Sequence, residues 1–212
     1  MNDVLHVLRK HRIIPVVVID HVGQAVPLAN TLMEGGLPLM EVTFRSAVAA
    51  EAIKAVRKRN PAMLVGAGTI LTTADLRMAI DAGASFGVAP GFDHVVAQMA
   101  VKESFPFFPG VMTPTDIQGA LMLNITVLKF FPAEAAGGPL MIRSLLAPFS
   151  HLGISVIPTG GINPGNLNKY LEVPEVLAAG GTWIARKEEI AMEKWDEIKQ
   201  RCREATGLVV QK

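Results

Sequence analysis

A single cysteine, Cys202, stands in the whole chain. One thiol cannot close an intramolecular disulfide, which excludes a disulfide-stapled fold and fits a reducing, cytoplasmic setting. Charge of either sign is not in excess. Lys and Arg number 20 against 19 Asp and Glu, a formal net charge of +1. That balance gives no electrostatic case for a nucleic-acid partner. The densest basic run, Arg57-Lys58-Arg59, reads as a solvated helix end. No apolar run reaches the ~20 residues needed to span a bilayer. The opening Met1-Asn2-Asp3-Val4-Leu5-His6 lacks the apolar core of a secretion signal, so no membrane partner is expected. The five histidines, His6, His11, His21, His94 and His151, are scattered without ligand spacing, so no metal is expected, and no cofactor either. Linkers, low-complexity tracts and charge blocks are also missing, which implies one domain over residues 1–212. α/β folds of this length run as single domains, and half of the residues are hydrophobic, enough for a large core.

What the chain does have is a repeating succession of short apolar runs. They are Ile13 to Val18, Pro38 to Thr43, Met63 to Ala67, Ser85 to Ala89, Phe105 to Phe108, Thr126 to Phe131, Ile154 to Pro158 and Glu175 to Ala179. Helical patterns lie between them, among them Ala47 to Lys58, Thr72 to Ala82, His94 to Lys102 and Leu140 to Phe149. Thr113-Pro114 and Asn163-Pro164 place a capping residue before a proline, a helix-start signal. Gly35-Gly36 and Gly83 fit helix stops. Eight strand–helix units predict a single (β/α)8 TIM barrel, with an N-terminal helix covering one barrel mouth. An open doubly wound sheet is the second reading. It is disfavoured because Gly66-Ala67-Gly68-Thr69 lacks the third glycine of a dinucleotide fingerprint. The segment from Lys187 to Ala205 reads as a polar C-terminal helix.

Lys129 stands in Thr126-Val127-Leu128-Lys129-Phe130-Phe131-Pro132. A strand this apolar is expected to be buried on both faces, as in a parallel sheet. Burial disfavours an ammonium, and the neutral amine is a nucleophile suited to forming a Schiff base. The plainer alternative is a lysine whose stem packs while its head reaches water. Glu41, within Leu39-Met40-Glu41-Val42, needs a partner if buried, and Lys129 is available across the fold. Side chains alternate along a strand, so Glu41, Thr43 and Arg45 share one side, as do Lys129 and Phe131. Gly160-Gly161 and Gly180-Gly181 close the last two strands. Bare backbone amides there can approach a phosphate, and glycine turns alone would serve as well.

In their order along the chain these residues resemble the KDPG/KHG aldolases, class I aldolases acting on 2-keto-3-deoxy-6-phosphogluconate and 4-hydroxy-2-oxoglutarate. The marks are Ile14-Pro15-Val16, Gly35-Gly36, Glu41-Val42-Thr43, Val65-Gly66-Ala67-Gly68-Thr69, Ala89-Pro90-Gly91 and Pro109-Gly110. Lys129-Phe130-Phe131-Pro132-Ala133-Glu134, Pro158-Thr159-Gly160-Gly161 and Gly180-Gly181 complete them. The resemblance implies Lys129 as the Schiff-base lysine and Glu41 as the general acid/base. It implies Arg45 and Thr69 at the keto-acid end, and Pro90 and Phe131 as walls. Phosphate would lie at Thr159, Gly160, Gly161, Gly181 and Thr182. Thr182 replaces the family's usual Ser and keeps the hydroxyl. The loop Val111-Met112-Thr113-Pro114 departs from a common Ser/Thr-rich version.

The implied activity is cleavage of 2-dehydro-3-deoxy-6-phosphogluconate to pyruvate and glyceraldehyde 3-phosphate, a lyase step of the Entner-Doudoroff type of carbohydrate metabolism. 4-Hydroxy-2-oxoglutarate, cleaved to pyruvate and glyoxylate, is the expected second substrate. The resemblance also implies a cytoplasmic homotrimer. The other readings are a 2-dehydro-3-deoxy-6-phosphogalactonate aldolase, a phosphosugar isomerase or epimerase on the same barrel, and a phosphosugar-binding protein without catalysis.

Overall fold

The computed structural model of the chain describes residues 1–210, so the last two residues of the expected domain lie outside it. Its strands, in chain order among the described residues, are β1 (Ile13–Val17), β2 (Leu39–Thr43), β3 (Leu64–Gly68), β4 (Phe86–Val88), β5 (Phe107–Phe108), β6 (Gly110–Val111), β7 (Val127–Phe130), β8 (Ser155–Pro158) and β9 (Ala179–Gly181). The helices are α1 (Asn2–His11), α2 (Ala25–Glu34), α3 (Ala49–Arg59), α4 (Thr73–Asp81), α5 (His94–Lys102), α6 (Pro114–Met122), α7 (Gly138–Leu146), α8 (Leu167–Leu171), α9 (Lys187–Ala191) and α10 (Trp195–Val210). None of them is long and apolar enough to cross a membrane.

The strands form two parallel sheets. One runs in the order β5-β4-β3-β2-β1-β9, the other β6-β7-β8. The closed eight-stranded TIM barrel expected from the apolar runs is therefore corrected to a six-stranded sheet and a separate three-stranded one. Pro109 lies between β5 and β6 and has no N–H to donate, and a proline interrupts a ladder where it falls. β5 pairs only with β4, and β6 only with β7. On the other flank β8 and β9 share no ladder. Single bridges, Val156 to Val176 and Thr159 to Gly180, are all that link their neighbourhoods. With no closed barrel there is no barrel mouth for α1 to cover. Its Leu5 instead shares a groove with Phe105, Phe107, Ile125 and Val127, near the starting ends of β5 and β7.

Local chemistry explains most helix boundaries. Thr72 and Thr113 each cap a helix through a reciprocal box with Asp75 and Asp116, and Pro114 takes the first turn of α6. Each such cap contributes about 1 kcal/mol. Thr113 is thereby committed to the cap, which accounts for that part of the Val111-Pro114 loop. Three boundaries differ from expectation. Asn163-Pro164 opens a turn, and α8 starts only at Leu167. The polar C-terminal segment is two helices, broken where Glu193 turns left-handed at φ 54°. The run Glu175 to Ala179 is buried beyond Glu175 but mostly unpaired, and the strand proper is Ala179–Gly181. There the Arg12 guanidinium takes the Val176 carbonyl at 2.8 Å.

Core residues run continuously from Val4 to Ala205. β1 and β2 are buried at every position, as parallel strands covered on both faces should be. For β2 this includes Glu41 and Thr43, two polar side chains that an ordinary core strand would exclude.

Candidate active site

All strands run in one direction, so their C-terminal ends gather at one end of the molecule. A cavity of about 250 Å³ opens there. Glu41, Arg45, Thr69, Pro90, Lys129, Phe131, Thr159, Gly160, Gly161, Gly181 and Thr182 all line it. The eleven residues singled out from sequence come from six separate segments, and the fold brings every one of them to this wall. Val16, Thr43, Ile162 and Gly180 line it too and were not singled out. Thr43 was legible through its shared side with Glu41, and Gly180 through its glycine pair. Val16 stood only within the Ile14-Pro15-Val16 mark of the resemblance, and Ile162 carried no signal of its own. A groove of about 410 Å³ beside Leu5 has no ionisable side chain in its lining, so it offers no comparable chemistry.

Lys129 projects from β7, held in register between Gly110 and Ile157. It is 6% exposed and Glu41 2% exposed, so both heads are withdrawn from bulk water. Lys129 Nζ donates to Glu41 Oε1 at 3.4 Å, a long contact. The Phe131 ring, two residues on, has its centroid 5.5 Å from Nζ. A cation and an aromatic face attract at that range. The carboxylate of Glu41 rests directly on Gly68, whose missing side chain leaves it room. Gly68 pairs with Thr43 in the neighbouring strand, so the space is set by sheet register.

Thr43 connects the buried floor to the rim. Its hydroxyl donates to Val17 O at 3.1 Å and accepts from Arg45 Nε at 3.4 Å. Arg45 is thus steered into the cavity alongside Lys129, and its guanidinium stays charged at any working pH. The resulting field favours an anionic ligand. Thr69 follows β3 with φ 60°, a left-handed backbone that a β-branched residue rarely adopts. Such strain clusters at functional sites.

At the far side, Gly160 and Gly161 turn with φ 104° and 78°. Thr159, buried just before them, has a hydroxyl with no hydrogen-bond partner among the described residues, and Gly180 lies against it. Behind the turn, Tyr170 OH donates to Glu134 Oε2 at 2.6 Å. Burial and that carboxylate hold the Tyr170 hydroxyl well above the ordinary tyrosine range.

The family described as KDPG and KHG aldolase matches residues 4–201. A 2-dehydro-3-deoxy-phosphogluconate aldolase of Haemophilus influenzae is 40% identical over 98% of this chain and 97% of its own length. Among solved structures, a KDPG aldolase of Legionella pneumophila holds pyruvate as a covalent carbinolamine intermediate. It superposes with a TM-score of 0.91 at 35% identity, covering 95% of this chain and 97% of the other. A 2-keto-3-deoxy-6-phosphogluconate aldolase of Zymomonas mobilis, solved with 3-phosphoglycerate, gives 0.88 at 38% identity over 98% and 97%.

Proposed function

Because this chain belongs to the KDPG and KHG aldolase family, we propose that its strand-end cavity is the site of a Schiff-base retro-aldol reaction. The chain is a lyase that cleaves 2-dehydro-3-deoxy-6-phosphogluconate to pyruvate and glyceraldehyde 3-phosphate. The observation that carries the residue assignment is the buried amine of Lys129 beside the buried carboxylate of Glu41.

Lys129 Nζ, as the free amine, attacks the C2 ketone and forms the carbinolamine. Loss of water gives the iminium, with Glu41 moving the protons. The iminium draws electrons from the C3–C4 bond as Glu41 takes the proton of the C4 hydroxyl. That bond breaks, glyceraldehyde 3-phosphate leaves, and an enamine remains on Lys129. Protonation at C3 and hydrolysis then release pyruvate and the amine. Arg45, steered by Thr43, and Thr69 hold the substrate carboxylate. Pro90 and Phe131 wall the reacting carbons from water. The phosphate lies at Gly160 and Gly161, between Thr159 and the Gly181-Thr182 turn. Rigid strand ends supply the preorganisation that such a multistep site requires.

4-Hydroxy-2-oxoglutarate fits the same steps with no phosphate to bind, and it is the second substrate of this reading. The family resemblance carries with it a homotrimer in the cytoplasm, which light scattering and cell fractionation test. The continuous core supports taking the chain as one aldolase domain. Incubation with pyruvate and borohydride tests the chemistry. One reduced pyruvyl group should appear on the peptide containing Lys129, and Lys129→Ala should lose both label and cleavage. A label on another lysine, or none, would overturn the Schiff-base assignment and favour isomerase or epimerase chemistry without a covalent intermediate.

A further inference from the structure

Glu134 does not line the cavity and takes no part in the mechanism above, yet one contact ties it to the glycine turn directly and another through Asn166, while Tyr170 holds its carboxylate. Its backbone N–H donates to Gly160 O at 3.0 Å. Its Oε2 accepts from Tyr170 OH at 2.6 Å and from Asn166 Nδ2 at 3.1 Å. The same Asn166 Nδ2 also donates to Gly161 O at 3.0 Å, joined by Asn163 Nδ2 at 3.3 Å. Asn166 is anchored in turn, its Oδ1 accepting from Asn163 N at 2.8 Å. Both carbonyl oxygens of the turn are therefore held on the Glu134 side.

A trans peptide points its C=O and N–H in opposite directions. The carbonyl of Gly160 shares a peptide with the N–H of Gly161, and the carbonyl of Gly161 with the N–H of Ile162. Holding the two oxygens outward aims these two N–H groups the other way, and both residues line the cavity. Neither N–H donates to any described residue. An unpaired backbone donor has every reason to rotate toward a partner, and the outward anchors are what stop it.

We propose that Glu134 is a positioning residue for the phosphate. Its side chain, through Asn166 and with Tyr170 holding the carboxylate in place, orients the Ile162 amide toward the anion, while its backbone N–H on Gly160 O orients the Gly161 amide. The inference rests on the phosphate reading of that turn. The role belongs to the shape of the carboxyl group and not to its charge. A carboxylate behind a phosphate turn repels the anion, while an amide of the same shape still accepts from Tyr170 and Asn166.

Four variants of the full chain, assayed on phosphorylated and unphosphorylated keto acid, test this. Glu134→Ala should raise KM for 2-dehydro-3-deoxy-6-phosphogluconate about tenfold or more, with kcat less affected and 4-hydroxy-2-oxoglutarate kinetics within about twofold. Glu134→Gln should restore that KM to the wild-type value or below it. Tyr170→Phe, which removes one donor to the carboxylate and keeps the ring, should move in the same direction as Glu134→Ala by a smaller factor. If Glu134→Ala is poorly folded, Tyr170→Phe and Glu134→Gln decide the matter. Equal losses on both substrates, or no rise in the phosphorylated KM for Glu134→Ala or Tyr170→Phe, would overturn the positioning role. Gly161→Val separates that failure from failure of the phosphate reading. A Cβ there meets Glu134 Cβ at 2.6 Å and crowds the turn itself. If Gly161→Val selectively harms the phosphorylated substrate while Glu134→Ala does not, only the role of Glu134 falls. If Gly161→Val harms both substrates alike, the phosphate assignment falls with it.

Discussion

Gly68→Ala should disable the enzyme without replacing any ionisable group. Gly68 keeps ordinary strand backbone, so alanine is tolerated by φ and ψ, and the effect is purely one of space. The new Cβ would fall on Glu41 Oε1 and lie 2.7 Å from both Cδ and Cγ of that side chain. Comfortable carbon contacts are about 3.5–4.0 Å, so the carboxylate must withdraw by about 1 Å. Lys129 Nζ already stands at 3.4 Å, at the limit of a hydrogen bond, so the displaced carboxylate no longer holds the geometry that proton transfer needs. A misplacement of that size costs roughly 10²-fold in rate, within the ~10²–10⁴-fold that a general acid/base contributes. Overpacking costs about 1–3 kcal/mol, so the protein should stay folded at room temperature with Tm lower by several degrees. Pyruvate release, followed by coupling to lactate dehydrogenase, measures kcat. Glu41→Gln should fall by a similar factor. The double variant should lie within about threefold of the weaker single one, because both changes act through one carboxylate. A folded Gly68→Ala within about threefold of wild type would refute the claim that Glu41 position matters. Full additivity in the double variant would show the two residues acting separately.

Two more predictions follow from strain and from charge. Thr69→Gly relieves a left-handed backbone that costs on the order of 1–3 kcal/mol, against about 0.5–1 kcal/mol of added chain entropy. Calorimetry should show Tm unchanged or raised while kcat/KM falls at least about tenfold, and a clear fall in Tm would rule out stored strain. Glu189, forked onto Arg201 at 2.7 Å through both oxygens, titrates below its ordinary value of 4.5, chiefly because Arg201 bonds its charged form. Its contribution to stability is thus present above that value and lost as pH falls through the depressed one. In an acid unfolding series, Glu189→Gln should be less stable than wild type near neutrality, and the gap should narrow as pH falls below 4.5 and close once the depressed value is passed. A constant gap down to the lowest pH would mean the pair does not titrate with folding.

Much of the site was readable before any coordinates because its chemistry conflicts with its surroundings. A lysine and a glutamate inside largely apolar strands are costly to bury, so they stood out, and alternation along β2 and β7 told which neighbours face the same way. The glycine pairs were readable as tight turns that also permit close approach of a ligand to the backbone, and the sequence left both readings open. The caps of α4 and α6 were likewise local matters, settled by a threonine and an aspartate three residues apart. These features depend on contacts within one turn or one strand, and the sequence by itself determined them. The sheet did not follow from such rules. Apolar runs report burial, and Val176 to Ala178 are buried without forming a strand. Whether neighbouring strands bond depends on register between distant segments, and one proline at position 109 divides a ladder that composition suggested would close. Distance belongs to the same category. The 3.4 Å between Lys129 and Glu41, the seat of that carboxylate on Gly68 and the anchoring of Gly161 by Asn166 join residues far apart in the chain. Only the tertiary structure decided them, because packing and backbone hydrogen bonds across strands must be satisfied together before any such pair can meet.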